Sequence, residues 1–119
     1  MNKYHNRKVE TFDGSFHDSR KEAVRWTHLK LMERAGNITE LKRQVKFVLI
    51  PTQYGLDENG KRKVLEKECY YKADYVYRDE QGKIRVEDVK GYKGGGAYKL
   101  FVIKRKLMLQ VYNIQIKEV

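Results

Sequence analysis

Turn signals constrain this chain more than any other feature: Asp13-Gly14, Gly36, Asn59-Gly60, Gln81-Gly82 and Gly94-Gly95-Gly96 cut it into short segments. At 119 residues the chain can bury one core but not two, so one domain over 1–119 is expected. Residues 8–18 flank Asp13-Gly14 and predict an N-terminal β-hairpin. Ser19 followed by Glu22 has the form of a capping box and opens a helix that runs to about Gly36. The short run Val45–Pro51 is β-rich, and Asn59-Gly60 supplies a turn before Val64 resumes an extended pattern. Two strands follow at 68–78 and 83–90, joined by Glu80-Gln81-Gly82. Helical periodicity covers Ala97–Gln110, and Val111–Lys117 closes the chain as a strand. The predicted core order is α, β, β, β, α, β.

Charge narrows the range of partners. The formal net charge is +10 with 12% aromatic residues, which suits a polyanion such as nucleic acid. A solvated basic surface is the plainer reading of the same number. The single cysteine, Cys69, excludes a disulfide framework or a cysteine-rich zinc site and fits a reducing, cytoplasmic compartment. No segment approaches the roughly 18 apolar residues of a membrane span, and the first residues have no signal-peptide core, so no membrane partner is expected.

In the strand Ile84–Lys90, a period of two puts Ile84, Val86, Asp88 and Lys90 on one face, so an apolar stripe ends in charge. In the strand before it, Asp74 shares a face with Val76 and Tyr70, and the loop at 80–82 sets Asp74 opposite Asp88. Directly opposed Cβ atoms lie roughly 4.5 to 5.5 Å apart, and carboxylates that close repel unless a proton or a cation intervenes. Mg²⁺ resolves the conflict, because it takes one or two carboxylates and keeps water and phosphate oxygens as its other ligands. Lys90 points to the same place. The alternative makes Asp74 and Asp88 edge carboxylates paired with nearby lysines. Glu87 falls on the opposite face and ranks below Asp88.

Glu22 has two readings: a capping-box glutamate, or a metal-associated carboxylate on the stripe Glu22, Trp26, Leu29 that faces the sheet. From Val89 to Gln110 the chain has six basic residues and no acidic one, which marks Lys93, Lys99, Lys104 and Lys106 as a DNA-contacting segment. Lys3, Arg7 and Lys8 form the alternative basic face. Lys104, within the stripe Leu100, Phe101, Leu107, Met108, either reaches inward to a phosphate or snorkels past the core. The triple glycine either admits a phosphate to a helix N-terminus or is a flexible loop. His5, His17 and His28 show no metal-ligand spacing, Cys69 reads as a buried strand residue, and the tyrosines at 70, 71, 75 and 77 read as packing residues first.

Glu22 on the first helix, Ala73-Asp74, Asp88-Val89-Lys90 and a lysine-bearing helix together resemble the PD-(D/E)XK nuclease superfamily. More narrowly, Phe16–Trp26, Glu87–Gly91 and Lys104-Arg105-Lys106 look like a family of small uncharacterised phage and prophage proteins. Ala73 stands where the superfamily's name has proline. The resemblance implies an α/β fold with a restriction-endonuclease-like αβββαβ core: a mixed central sheet flanked by helices. It also implies Mg²⁺ (Mn²⁺ able to substitute) on Asp74, Asp88 and Glu22, and Lys90 acting on the attacking water. The chain further looks like Holliday-junction resolvases, which implies a homodimer that cuts branched DNA during phage recombination or replication, in a bacterial or phage-infected cell.

Two other functions account for part of the pattern. A non-catalytic DNA-binding or recombination-accessory protein explains the charge but not the opposed aspartates. An RNA-directed protein shares the attraction to phosphate.

Overall fold

The Asp13-Gly14 turn closes β1 (Val9–Glu10) on β2 (Phe16–His17), with Gly14 at φ +83° where a side chain would be strained. This is the expected hairpin, seen in a computed structural model that describes residues 8–91 and 93–119. Lys3, His5 and Arg7 lie outside the described residues. The hairpin docks through Asp13, whose carboxylate accepts from the Trp26 indole N–H at 2.8 Å.

Helix α1 (Arg20–Arg34) starts where the capping pattern places it: the Ser19 hydroxyl accepts from the Glu22 backbone N–H at 3.1 Å. Its Ala23, Trp26 and Leu29 are buried, and Gly36 at φ +82° follows its end. Strand β3 (Thr39–Ile50) begins six residues before the expected Val45. Its first half, Thr-Glu-Leu-Lys-Arg-Gln, is too polar to show a strand period, and pairing with β6 makes it extended. The Asn59-Gly60 turn joins β4 (Gln53–Leu56) to β5 (Arg62–Glu66) as a separate two-stranded sheet that no other element among the described residues approaches.

Strands β6 (Cys69–Arg78) and β7 (Ile84–Asp88) form the second half of the main sheet, with α2 (Gly95–Tyr112) and β8 (Lys117–Glu118) after them. The sheet order is β3-β6-β7-β8, antiparallel except for the parallel pair β7 and β8. The fold is therefore mixed α/β with a mixed central sheet and two α-helices among the described residues. Helix α2 outruns its expected end: Val111 and Tyr112 stay helical, and Asn113 at φ +56° stops them in the left-handed conformation that asparagine tolerates. The last strand shrinks accordingly from the expected 111–117 to two residues.

Two clusters fill the core. On the α2 side Leu49, Tyr71, Ala73, Val86, Phe101, Met108 and Ile116 pack together; on the α1 side Trp26, Leu29, Ile38, Tyr75 and Tyr77 do so. An unbroken strand keeps odd-numbered residues on one face. Here Tyr71 and Ala73 face α2 while Tyr75 and Tyr77 face α1, so β6 changes face at Asp74. Strand β3 does the same: Phe47 and Leu49 pack toward α2 and Leu41 toward α1, with Gln44 at φ +57° between them. The register pairs Arg43 with Tyr75 and Val45 with Ala73, which sets Gln44 opposite Asp74. Tyr70 and Val76 therefore lie on opposite faces, not on one as an unbroken period predicts.

Candidate active site

The last paired residues of β6 and β7 are Tyr75 and Glu87, so the next ladder step sets Asp74 opposite Asp88, as the loop length predicts. The ladder stops there because the Asp74 carboxylate replaces a backbone acceptor: its Oδ2 accepts from the Val89 N–H at 2.7 Å. Asp88 ends β7 at 7% exposure; its Oδ2 accepts from the Tyr71 hydroxyl at 2.6 Å and its Oδ1 lies 2.8 Å from Lys90 Nζ. Lys90 falls just beyond β7 rather than inside it, since the strand closes two residues earlier than expected. Its backbone is still fixed: Lys90 N–H donates to the Val119 carbonyl and Val119 N–H to the Asp88 carbonyl, both at 2.9 Å. Its ammonium lies 3.3 Å from the centre of the Phe101 ring, a cation–π contact supplied by α2.

Glu22 projects from the first turn of α1 while its backbone carbonyl accepts from the Tyr75 hydroxyl at 2.7 Å. Burial pushes its carboxyl above the ordinary value, and the Asp74 and Asp18 charges add to this; Arg43 and the Asp18 N–H oppose it. Asp74 is raised first by burial and then by Asp88, against the Val89 N–H, Lys90 and the Gln44 side chain. Asp74, Asp88 and Lys90 thus meet at the point where β6 and β7 part, and Glu22 lies near enough for Asp74 and Glu22 to oppose each other's charge, as Asp74 and Asp88 do. Among the described residues no three His, Cys, Asp or Glu side chains are close enough to form a metal shell by themselves.

The four lysines of the basic segment separate. Lys93, Lys99 and Lys106 are exposed, with Lys93 Nζ 3.8 Å from Glu118. Lys104 is half-buried and turns toward Tyr70, its Nζ 5.7 Å from that ring. Glu87 faces α1, opposite to Asp88 as expected, and is fully buried against Arg25 and Tyr77. Cys69 is a half-buried strand residue.

Sequence reasoning missed Tyr71, Phe101 and Arg25. Tyr71 and Phe101 occupy apolar positions and look like packing until Asp88 and Lys90 are seen beside them. Arg25 left a trace: Glu87 is an acid within a core strand, and such an acid needs a cation.

Residues 1–118 match a family described as a protein of unknown function (DUF1064). The chain belongs to that family. Comparison of this DUF1064 member with curated proteins and with solved structures gave no match. No helix among its described residues is long and apolar enough to cross a membrane.

Proposed function

We propose that this DUF1064 chain is a metal-dependent DNA endonuclease of the PD-(D/E)XK type. The observation that carries the reading is the opposition of Asp74 and Asp88 at the open end of the β6–β7 ladder, with Lys90 beside Asp88 and Glu22 raised by burial and then by the Asp74 charge. Carboxylates held together against their own repulsion fit a divalent cation, and a two-carboxylate set with Glu22 nearby suits Mg²⁺, which retains water. Mn²⁺ takes the same oxygen donors. Asp74 and Asp88 would hold the ion, with Glu22 bound directly or through water. When bound, it supplies a more acidic water and neutralises charge on the scissile phosphate.

The chain's own residues do the rest. Tyr71 fixes one oxygen of Asp88 and so orients the other toward Lys90. Lys90 Nζ, held over the Phe101 ring, is positioned to donate to a phosphate oxygen or to orient the attacking water. The exposed Lys93, Lys99 and Lys106 draw the DNA backbone to this end of the sheet. Branched DNA such as a Holliday junction, cut by a homodimer, is the proposed substrate.

One observation favours a second reading. Both Asp88 oxygens already have partners in Tyr71 and Lys90, as they would in a DNA-binding protein with a purely structural ion pair. Cleavage of linear, nicked and branched DNA and of RNA, with and without Mg²⁺, separates the two. The nuclease reading expects Mg²⁺-dependent cutting that Asp74→Asn abolishes. Binding without cutting, or equal cutting by Asp74→Asn, overturns it.

A further inference from the structure

Strand β7 pairs with β6 only from Tyr75 to Arg78, so that edge of β6 is uncovered by a strand before Asp74. Between it and the first turns of α2 lies a groove of about 310 Å³ lined by Tyr70, Tyr71, Lys72, Leu100, Phe101 and Lys104. Two of these residues also build the candidate active site: Tyr71 holds Asp88 and Phe101 lies under Lys90. One layer of side chains, Tyr71 and Phe101, thus separates the groove from the Asp88–Lys90 pair.

On its rim Tyr70 is 44% exposed. Two cations flank its ring, Lys46 Nζ at 4.8 Å and Lys104 Nζ at 5.7 Å from the centroid. Lys46 is shared with Glu68, 2.9 Å away, whereas Lys104 makes no ion pair among the described residues. Lys72 beside them is exposed. A half-exposed aromatic ring with cations over it matches a nucleotide, whose flat base can take the place of a cation on the ring while the displaced ammonium moves to its phosphate.

The geometry points to a subsite for one unpaired nucleotide of a DNA strand, its base stacked on Tyr70 and its flanking phosphates held by Lys104 and Lys72. A base inside a duplex has both faces covered by its neighbours, so the subsite accepts only an unstacked base. One side-chain layer from the Asp88–Lys90 pair, it selects DNA with a single-stranded or branched position near the bond to be cut. This deepens the nuclease reading and rests on it.

The test is fluorescence anisotropy with the full chain in metal-free buffer, using short oligo(dT), a duplex of equal length, and oligo(U). Tyr70 is half in water, so its variants should keep the parent's circular dichroism. Tyr70→Phe should bind oligo(dT) within about twofold of the parent, because the ring remains. Tyr70→Leu should lose about tenfold on oligo(dT) and less than about twofold on duplex. Lys104→Gln should lower the salt slope on oligo(dT) by about one phosphate contact. Unchanged oligo(dT) binding by Tyr70→Leu, or equal losses on single strand and duplex, overturns the subsite. Tighter binding of oligo(U) than of oligo(dT) by the parent overturns the assignment to DNA. If the parent neither binds nor cuts DNA once Mg²⁺ is supplied, the nuclease reading falls too; if it cuts DNA and Tyr70→Leu is silent, the subsite alone falls.

Discussion

Arg25 and Glu87 meet in a two-point ion pair, Nε to Oε1 and Nη2 to Oε2 each at 2.6 Å, that ties α1 to β7. Tyr77 donates to the same carboxylate, which is fully buried. Removing one member of a buried pair strands the other charge, so Arg25→Ala should cost about 3–5 kcal/mol. Arg25→Lys, with no planar fork, should recover only part of that. The double variant Arg25→Met, Glu87→Leu should recover part of it, since apolar packing replaces both charges while the Tyr77 hydroxyl loses its acceptor. Thermal unfolding of the three variants checks the order.

The same carboxyl gives the fold an acid limit. Burial pushes the Glu87 pKa up, but hydrogen bonds from Arg25 and Tyr77 and the Arg25 charge push it further down, and the net shift is downward. The folded chain then binds this proton less readily than the unfolded one. Its contribution is complete above the ordinary glutamate pKa of about 4.3 and is lost as pH falls through the lower folded value. Unfolding measured between neutral pH and pH 3 should show this loss in the parent and not in the Met/Leu double variant.

Asp74 and Asp88 respond differently to loss of charge. Asp74 is raised by burial and by Asp88, so its ionised form costs stability above its folded pKa, and the cost disappears as pH falls below the unfolded value. Asp74→Asn keeps an oxygen for the Val89 N–H and should raise the metal-free melting temperature at pH 7. Asp88→Asn leaves Lys90, whose side chain is 16% exposed, without its partner and should lower it. Under the nuclease proposal both variants lose cleavage, and Mg²⁺ stabilises the parent more than either. Melting curves with and without Mg²⁺ read both effects.

Glu22 is separated from its cap by two substitutions. Ser19→Ala removes the acceptor for the Glu22 N–H and should cost about 1 kcal/mol, with the site's charges unchanged. Glu22→Gln retains that backbone bond and relieves repulsion with Asp74, so it should fold at least as stably as the parent. The nuclease proposal adds that Glu22→Gln is severely impaired at saturating Mg²⁺. Full activity would reduce Glu22 to a helix-start residue.

Neutralising Lys93, Lys99 and Lys106 together should flatten the salt dependence of duplex DNA binding by up to about 0.9 per lost phosphate contact. All three are exposed, so each substitution should change stability by no more than about 0.5 kcal/mol. An unchanged slope would move the DNA face to another basic surface.

Local chemistry by itself determined the hairpin at Asp13-Gly14, the start of α1 at Ser19 and the opposition of Asp74 to Asp88. Each depends on a few neighbouring residues: a turn, a cap, or the number of residues in one loop. Sequence periodicity also placed Glu87 opposite Asp88. Tertiary structure alone decided the rest. The polar half of β3 is a strand because β6 supplies its hydrogen bonds, and the last turn of α2 is fastened to β3 by the Tyr112 ring against Phe47 and its hydroxyl on the Val48 carbonyl. The change of face at Gln44 and Asp74 belongs to two strands at once, so no single period contains it. Tyr71 and Phe101 read as core residues in sequence, and only the packing of α2 against β6 brings a hydroxyl to Asp88 and a ring to Lys90. Backbone preferences act over a few residues and are visible in sequence, whereas contacts between distant side chains exist only once the layers have closed.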